Sequence, residues 1–313
     1  MARILVTGGA GFVGSNLVRG LLSRGDDVVV LDNFATGRRE NLADVLGQIR
    51  LVEGSLTSTA DVAEALRGVD GVLHQGALPS VPKSLALPLE TNMANVVGTL
   101  TLLEGCRQAG VKRVVYAASS SAYGDHDAPS KTEDLTPRPK SPYAIQKLTG
   151  EYYCWVYHQL FGLETIALRY FNVFGPRQNP ESQYAAVIPA FITRMLKGES
   201  PIVHGDGLQS RDFTYIANVI DANLAALEAP VEACGQTYNA ACGDSATLLD
   251  LIATINDVLG TQIEPTHIES RAGVVRHSRA AVTRIEEAFG FKARVNLREG
   301  LEKTIDWYAR DVG

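Results

Sequence analysis

The sequence predicts an α/β fold, a doubly wound parallel sheet with a smaller C-terminal lobe. Three observations carry that prediction. Short β-branched runs alternate with longer helical patterns as far as residue 175. The first run, Ile4-Leu5-Val6-Thr7, passes directly into a glycine turn and then a helical pattern. Beyond Gly175 the alternation loosens, so the later chain reads as a lobe covering the sheet. With 313 residues, 45% hydrophobic and 20% charged, the chain has an ordinary globular composition and length for one large or two medium domains.

The first strand covers 4–7. Gly8-Gly9-Ala10-Gly11-Phe12-Val13-Gly14 follows at once, and Leu17, Val18, Leu21 and Leu22 carry a helix to Gly25. Strand, glycine turn and helix in that order form a Rossmann-type, dinucleotide-binding signature. Gly8 permits the tight turn, Gly11 lets backbone approach a pyrophosphate, and Gly14 brings helix against strand. The phosphates then meet free N–H groups at the helix start, where Phe12 and Val13 stand. The second strand, 28–31, ends at Asp32, whose carboxylate suits a ribose 2′-hydroxyl and repels a 2′-phosphate. NAD is therefore expected over NADP, softened by Arg38 and Arg39 nearby.

Third and fourth strands are read at 50–53 and 71–74, around a helix at 60–66. A long helix at 90–109 has Val96, Val97, Leu100, Leu103 and Cys106 near helical spacing. The fifth strand, 114–118, delivers Ser119-Ser120-Ser121 to its carboxyl end, where the crevice of a parallel sheet lies. A proline-rich connection, 125–142, is placed to cover that crevice.

Ser141-Pro142-Tyr143-Ala144-Ile145-Gln146-Lys147 opens a helix that runs to Phe161, interrupted by one glycine and no further proline. Four residues apart, the Tyr143 phenol and Lys147 ammonium share a helix face. A phenol titrates at about 10, and bringing it to about 7 takes roughly 4 kcal/mol of preference for the phenolate. A lysine and a cationic nicotinamide together are expected to supply it. Alone, this spacing is commonplace on helix surfaces; beside the glycine turn and Ser119 it marks a catalytic base.

A sixth strand covers 165–170 and ends in Phe171-Asn172-Val173-Phe174-Gly175-Pro176. Further on come a polar loop at 180–184, a helix at 187–197 and a short strand at 211–215. Helices follow at 219–228, 248–259, 282–289 and 297–308. Residues 1–175 are thus read as an NAD-binding domain. Residues 176–313 are read as mainly a substrate-binding lobe, with some chain returning to the first domain. A net charge of −6 and the lack of any Lys/Arg block exclude a nucleic-acid partner. Four scattered cysteines without a Cys-x-x-Cys pair point away from metal or disulfides and toward a reducing, cytoplasmic setting. No signal-peptide core or membrane-length apolar run is read.

Together, Gly8-x-x-Gly11-x-x-Gly14, Asp32, Ser119 and Tyr143-x-x-x-Lys147 resemble an extended short-chain dehydrogenase/reductase. Four finer motifs are Ser119-Ser120-Ser121-Ala122-Tyr123-Gly124, Leu168-Arg169-Tyr170-Phe171-Asn172-Val173-Phe174-Gly175-Pro176, Ser210-Arg211-Asp212-Phe213 and Arg271-Ala272-Gly273. These resemble the nucleotide-sugar 4-epimerases of the UDP-glucose and UDP-N-acetylglucosamine type, over nearly the whole chain. The resemblance implies a tightly bound NAD, regenerated in each turnover, and a transient 4-keto sugar. It assigns Tyr143 as base, Ser119 as a partner of the same sugar oxygen, and Lys147 to the nicotinamide ribose. Cofactor contacts are implied at Gly8, Gly11, Phe12, Val13, Asp32, Asn33, Gly37, Ser55, Leu56, Gln75, Ala77, Asn92, Ala117, Tyr170 and Val173. Substrate contacts are implied at Ser80, Ser119, Ser120, Ser121, Asn172, Val187, His204, Arg211, Arg271 and Ser278.

The position seven residues after Arg271 borders the sugar C2 substituent in this family. It holds Ser278, with space for an N-acetyl group, where a tyrosine resembles enzymes of plain hexoses. The implied substrates are UDP-GlcNAc and UDP-GalNAc, with UDP-Glc and UDP-Gal in second place. The chain departs from the pattern at Ser55, Gly76, Val274 and Ala281, where the family commonly has Asp, Ala and two further acids. Rival readings are a sugar 4,6-dehydratase or a decarboxylase, which need acids where Ser120 and Ser121 stand, and a non-catalytic nucleotide-binding protein. A homodimer is expected through the 90–109 and 143–161 helices, with Leu100, Leu103, Tyr152 and Trp155 across the axis.

Overall fold

The computed structural model describes residues 1–180, 187–269 and 276–312. In chain order the first half comprises β1 (Arg3–Thr7), α1 (Phe12–Arg24), β2 (Asp27–Asp32), β3 (Ile49–Glu53), α2 (Thr59–Ala65) and β4 (Gly71–His74). Next come α3 (Val81–Ala86), α4 (Pro88–Asn92), α5 (Gly98–Ala109), β5 (Arg113–Ser119), α6 (Pro142–Phe161) and β6 (Glu164–Tyr170). After β7 (Val173–Phe174) the chain forms α7 (Val187–Leu196), β8 (Ile202–His204), β9 (Ser210–Arg211), β10 (Thr214–Tyr215), α8 (Ile216–Glu228) and β11 (Gln236–Ala240). It ends with β12 (Ala246–Thr247), α9 (Leu248–Leu259), β13 (Thr266–Ile268), β14 (His277–Ser278), α10 (Thr283–Phe289) and α11 (Leu297–Val312).

Seven parallel strands make the central sheet in the order β11-β6-β5-β4-β1-β2-β3. Alternate residues explain its two cores. Val6, Val28 and Val30 face α1 and α8. Leu5, Val29 and Leu31 face α2, α5 and α6. The strand order reverses between β1 and β4, which opens a crevice at their carboxyl ends. A separate apolar cluster, with Phe191, Phe213, Leu251 and Ile305, holds the second lobe.

Several boundaries differ from the sequence reading. The expected 90–109 helix is α4 and α5, joined by a π-helical turn, Met93–Val97. That extra residue per turn brings the Asn95 side chain inward, where Leu78 N and Gln146 occupy it. The single strand expected at 211–215 is broken into β9 and β10 around Asp212, whose N–H donates to the Ser278 carbonyl while its carboxylate accepts the N–H groups of Cys242, Gly243 and Ala280. β11 has no counterpart among the expected strands. It pairs along β6 from Gln236–Ile166 to Ala240–Tyr170. The chain beyond Gly175 therefore supplies α8, β11 and α10 to the first domain's sheet and helix layer. The expected loop at 180–184 falls almost wholly outside the described residues.

Candidate functional site

Gly8 turns at φ +65, and a Cβ there would stand 2.7 Å from Gly76 Cα. At Gly14 a Cβ would come within 2.1 Å of the Gly8 carbonyl oxygen, so only glycine lets α1 start this close to β1. Gly11 caps α1 without any side-chain acceptor, and Phe12, Val13 and Gly14 border a cavity of about 1020 Å³. First-turn N–H groups without partners, at a helix N-terminus beside a glycine cradle, fit a dinucleotide pyrophosphate.

Asp32 ends β2 almost fully buried. One of its oxygens accepts from Ala10 N at 2.8 Å and the other from Phe34 N at 2.8 Å. Burial raises its pKa, against the pull of those two bonds. Arg39 does not soften the site as expected, because it pairs with Glu53 at 2.6 Å and stacks on Phe34. Arg38 does border the cavity.

Ser141 caps α6 by accepting from Ala144 N at 3.2 Å, with Pro142 in the first turn. Tyr143 N donates to Ser84 Oγ at 3.1 Å, which ties the helix start to α3. Lys147, one turn on, is buried and donates from Nζ to the Ala117 carbonyl at 2.7 Å. Burial pushes its ammonium down to about 8. Burial also pushes the Tyr143 phenol up to about 12, opposed by a hydrogen bond with Ser119. The expectation that Lys147 depresses the phenol is thus not met by the protein alone; the opposing group is Ser119. Ser119 also accepts from Ser121 Oγ at 2.9 Å. His74, behind the site, is held neutral at about 3 by burial and by Lys147.

One cavity collects most of the expected residues. Of the expected cofactor contacts, its wall includes Gly8, Gly11, Phe12, Val13, Asp32, Asn33, Gly37, Ser55, Leu56, Gln75, Ala77, Ala117, Tyr170 and Val173. The same wall includes Ser119, Ser120, Ser121, Tyr143, Lys147, Asn172, Arg211 and Ser278. Parallel pairing sets Ser278 directly beside Arg211. Asn172 reaches its place with a strained φ of +32, its amide donating to the Asp212 carbonyl at 3.2 Å.

Four expected residues are not in that wall. Asn92 is exposed on α4, and Met93 and Ala94 of the π turn take its place. Ser80 spends its hydroxyl capping α3, accepting from Lys83 N at 3.1 Å. Val187 starts α7 away from the cavity, and His204 is engaged with the Glu269 carbonyl. Arg271 lies outside the described residues, as does Val274. Lys131, Lys140 and Arg177 border the cavity although they are not among the expected contacts. Arg177 directly follows the Gly175-Pro176 pair and was legible as an extension of that motif; the two lysines sit in the proline-rich connection, where no spacing marks them.

A switch-point crevice with a glycine cradle and a facing Ser–Tyr–Lys set defines a dinucleotide-dependent enzyme of the extended short-chain dehydrogenase/reductase class. The chain belongs to the NAD dependent epimerase/dehydratase family, whose profile spans residues 4–241, and NAD is that family's cofactor. It is 36% identical to the UDP-glucose 4-epimerase of Mycolicibacterium smegmatis over 311 residues, 98% of each chain. A UDP-N-acetylglucosamine 4-epimerase from Methanobrevibacter ruminantium, solved in complex with UDP-N-acetylmuramic acid, is 38% identical with a TM-score of 0.94 over 99% of each chain. The UDP-glucose 4-epimerase of Thermus thermophilus, solved with NAD, is 36% identical with a TM-score of 0.88 over 98% of each chain. A dTDP-glucose 4,6-dehydratase from Streptomyces venezuelae, with NAD and TYD bound, is 33% identical with a TM-score of 0.90 over 99% of this chain and 97% of that one. The chain is an enzyme of the UDP-sugar 4-epimerase family.

Proposed function

We propose that the protein interconverts UDP-GlcNAc and UDP-GalNAc, with UDP-Glc and UDP-Gal as secondary substrates. The observation that carries the N-acetyl preference is Ser278, small, in the cavity wall and in register beside Arg211. A serine leaves open the volume that a tyrosine would fill. Ser120 and Ser121 have no carboxyl to move a second proton, which favours epimerisation over dehydration or decarboxylation.

Tyr143, as phenolate, takes the proton from the sugar 4-hydroxyl and later returns it to the same oxygen. Bound NAD would accept the C4 hydride, give it back to the opposite face of the 4-keto sugar so that the cofactor is regenerated, and place a positive charge near the phenol. From about 12, reaching neutrality takes about 7 kcal/mol of preference for the phenolate, more than one surface-type ion pair supplies. Ser119 donates toward the reacting oxygens, while Lys147, still largely charged at neutral pH, keeps N–H groups free beyond its bond to Ala117. Arg211 and, by family likeness, Arg271 hold the diphosphate through charge-assisted bonds. Asn172 orients the sugar.

Product analysis after incubating a panel of UDP-sugars with the protein and no added cofactor tests this reading. Turnover of both N-acetylated sugars, lost by about 100-fold or more in Tyr143→Phe, is expected. An accumulating keto product would instead place the chain with the dehydratases. Ser278→Tyr should remove N-acetylated turnover and spare plain hexose; equal loss of both defeats the substrate assignment.

A homodimer and a cytoplasmic setting complete the proposal. Leu103 cannot serve the expected dimer contact, since it is core, but Tyr152 and Trp155 on α6 and Leu85, Leu87 and Leu89 before α5 are exposed. Among the described residues no helix is long and apolar enough to cross a membrane.

A further inference from the structure

We propose that Arg177 clamps the pyrophosphate of the bound dinucleotide from the second-lobe side, facing the glycine turn, a contact that rests on the family's dependence on NAD. Arg177 follows β7, where the chain crosses from the sheet to the second lobe. Its φ is +70, a left-handed conformation that costs an ordinary residue about 1 kcal/mol and is retained mainly at functional positions. Two bonds to α1 fix it there. Asn16 Nδ2 donates to the Pro176 carbonyl at 3.1 Å, and the guanidinium donates to Asn16 Oδ1 at 3.4 Å. Asn16 also donates to the Phe12 carbonyl at 2.9 Å, so the arginine is moored to the turn whose N–H groups face the phosphates.

The guanidinium borders the same cavity as Gly11, Phe12 and Arg38. Its charge is poorly matched inside the protein. Among the described residues, Asp44 is the acid within electrostatic reach, and it is already paired with Arg19. Burial and Arg19 both lower the proton affinity of Arg177. One long bond to an amide uses little of a five-donor fork. A half-buried, strained guanidinium with no acid of its own among the described residues, beside a helix N-terminus, suits bidentate contact with a diphosphate. Arg211 sits on β9 beside Ser278 and is the residue proposed above for the sugar nucleotide.

The test compares wild type with Arg177→Gly and Arg177→Lys, each stripped of resident NAD. NAD affinity is measured by calorimetry at low and high salt, and unfolding temperature is measured without NAD. Arg177→Gly is expected to weaken NAD binding about 10- to 100-fold, with a shallower salt dependence. Its NAD-free unfolding temperature is expected to stay level or rise, since glycine relieves the positive φ. Arg177→Lys, keeping the charge but not the fork, should fall between. Unchanged NAD affinity in both variants overturns the proposal. So does a lowered NAD-free unfolding temperature in both, which makes the residue a tie between lobes. Because binding is read without turnover, failure of the epimerase assay and failure of this test are separable.

Discussion

Asp212 lies fully buried where β9 and β10 part, accepting three backbone N–H groups from the 242–243 turn and Ala280. Burial pushes its carboxyl up to about 6 from 3.8. The folded state then holds the proton more tightly than the unfolded chain. Stability from this group is fully present below about pH 4 and is lost as pH rises through about 6, roughly 3 kcal/mol in all. Denaturant titrations at about pH 4 and about pH 7 should show Asp212→Asn losing that much less than wild type. Matching losses would clear the carboxylate. Ser119 gives a second residue-scale prediction. Its hydrogen bond lowers the Tyr143 phenol, so Ser119→Ala should move the pH–rate profile alkaline and cut turnover about 100-fold. A profile that does not move would deny Ser119 its influence on the phenol. The Tyr143–Lys147 spacing was readable because helix geometry fixes it. The direction of the phenol's shift was not, since it depends on burial that only the folded cavity supplies.

At the scale of elements, the π turn between α4 and α5 is locked by a buried chain of polar groups. Asn95 Nδ2 donates to Gln146 Oε1 at 2.8 Å, and Gln146 Nε2 donates to Thr91 Oγ1 at 3.0 Å. Gln146 stands between Tyr143 and Lys147 on α6, so this lock sets the height of the catalytic helix against the cavity. Gln146→Leu should cost about 2–4 kcal/mol in chemical denaturation, by leaving buried partners unmatched. Loss below about 0.5 kcal/mol would mean the network is slack. The helical periodicity of 90–109 was legible, but not the extra residue in its middle turn, which apolar spacing does not encode. β11 is hidden for a related reason. Asn239 sits fully buried in it, satisfied by Tyr123, Glu133, Lys131 and Ala281. A polar strand interior is unreadable when its partners come from distant segments.

At the scale of the molecule, the parallel sheet and its crevice were legible because the glycine turn and the strand–helix alternation agree with each other. The second lobe was harder to trace, since its strands are two or three residues long and alternate with nothing. Exposed Tyr152 and Trp155 on α6 support the proposed two-fold pairing; Trp155→Glu should leave a monomer in sedimentation, while an unchanged dimer would put the interface elsewhere. The placement of β11 at the sheet's outer margin has a consequence for biosynthesis. A nascent polypeptide that has left the ribosome only as far as Gly175 has six strands ready, yet the rim of β6 stays raw until residues 236–240 emerge. A fragment cut there should clump during expression instead of yielding a freestanding nucleotide domain.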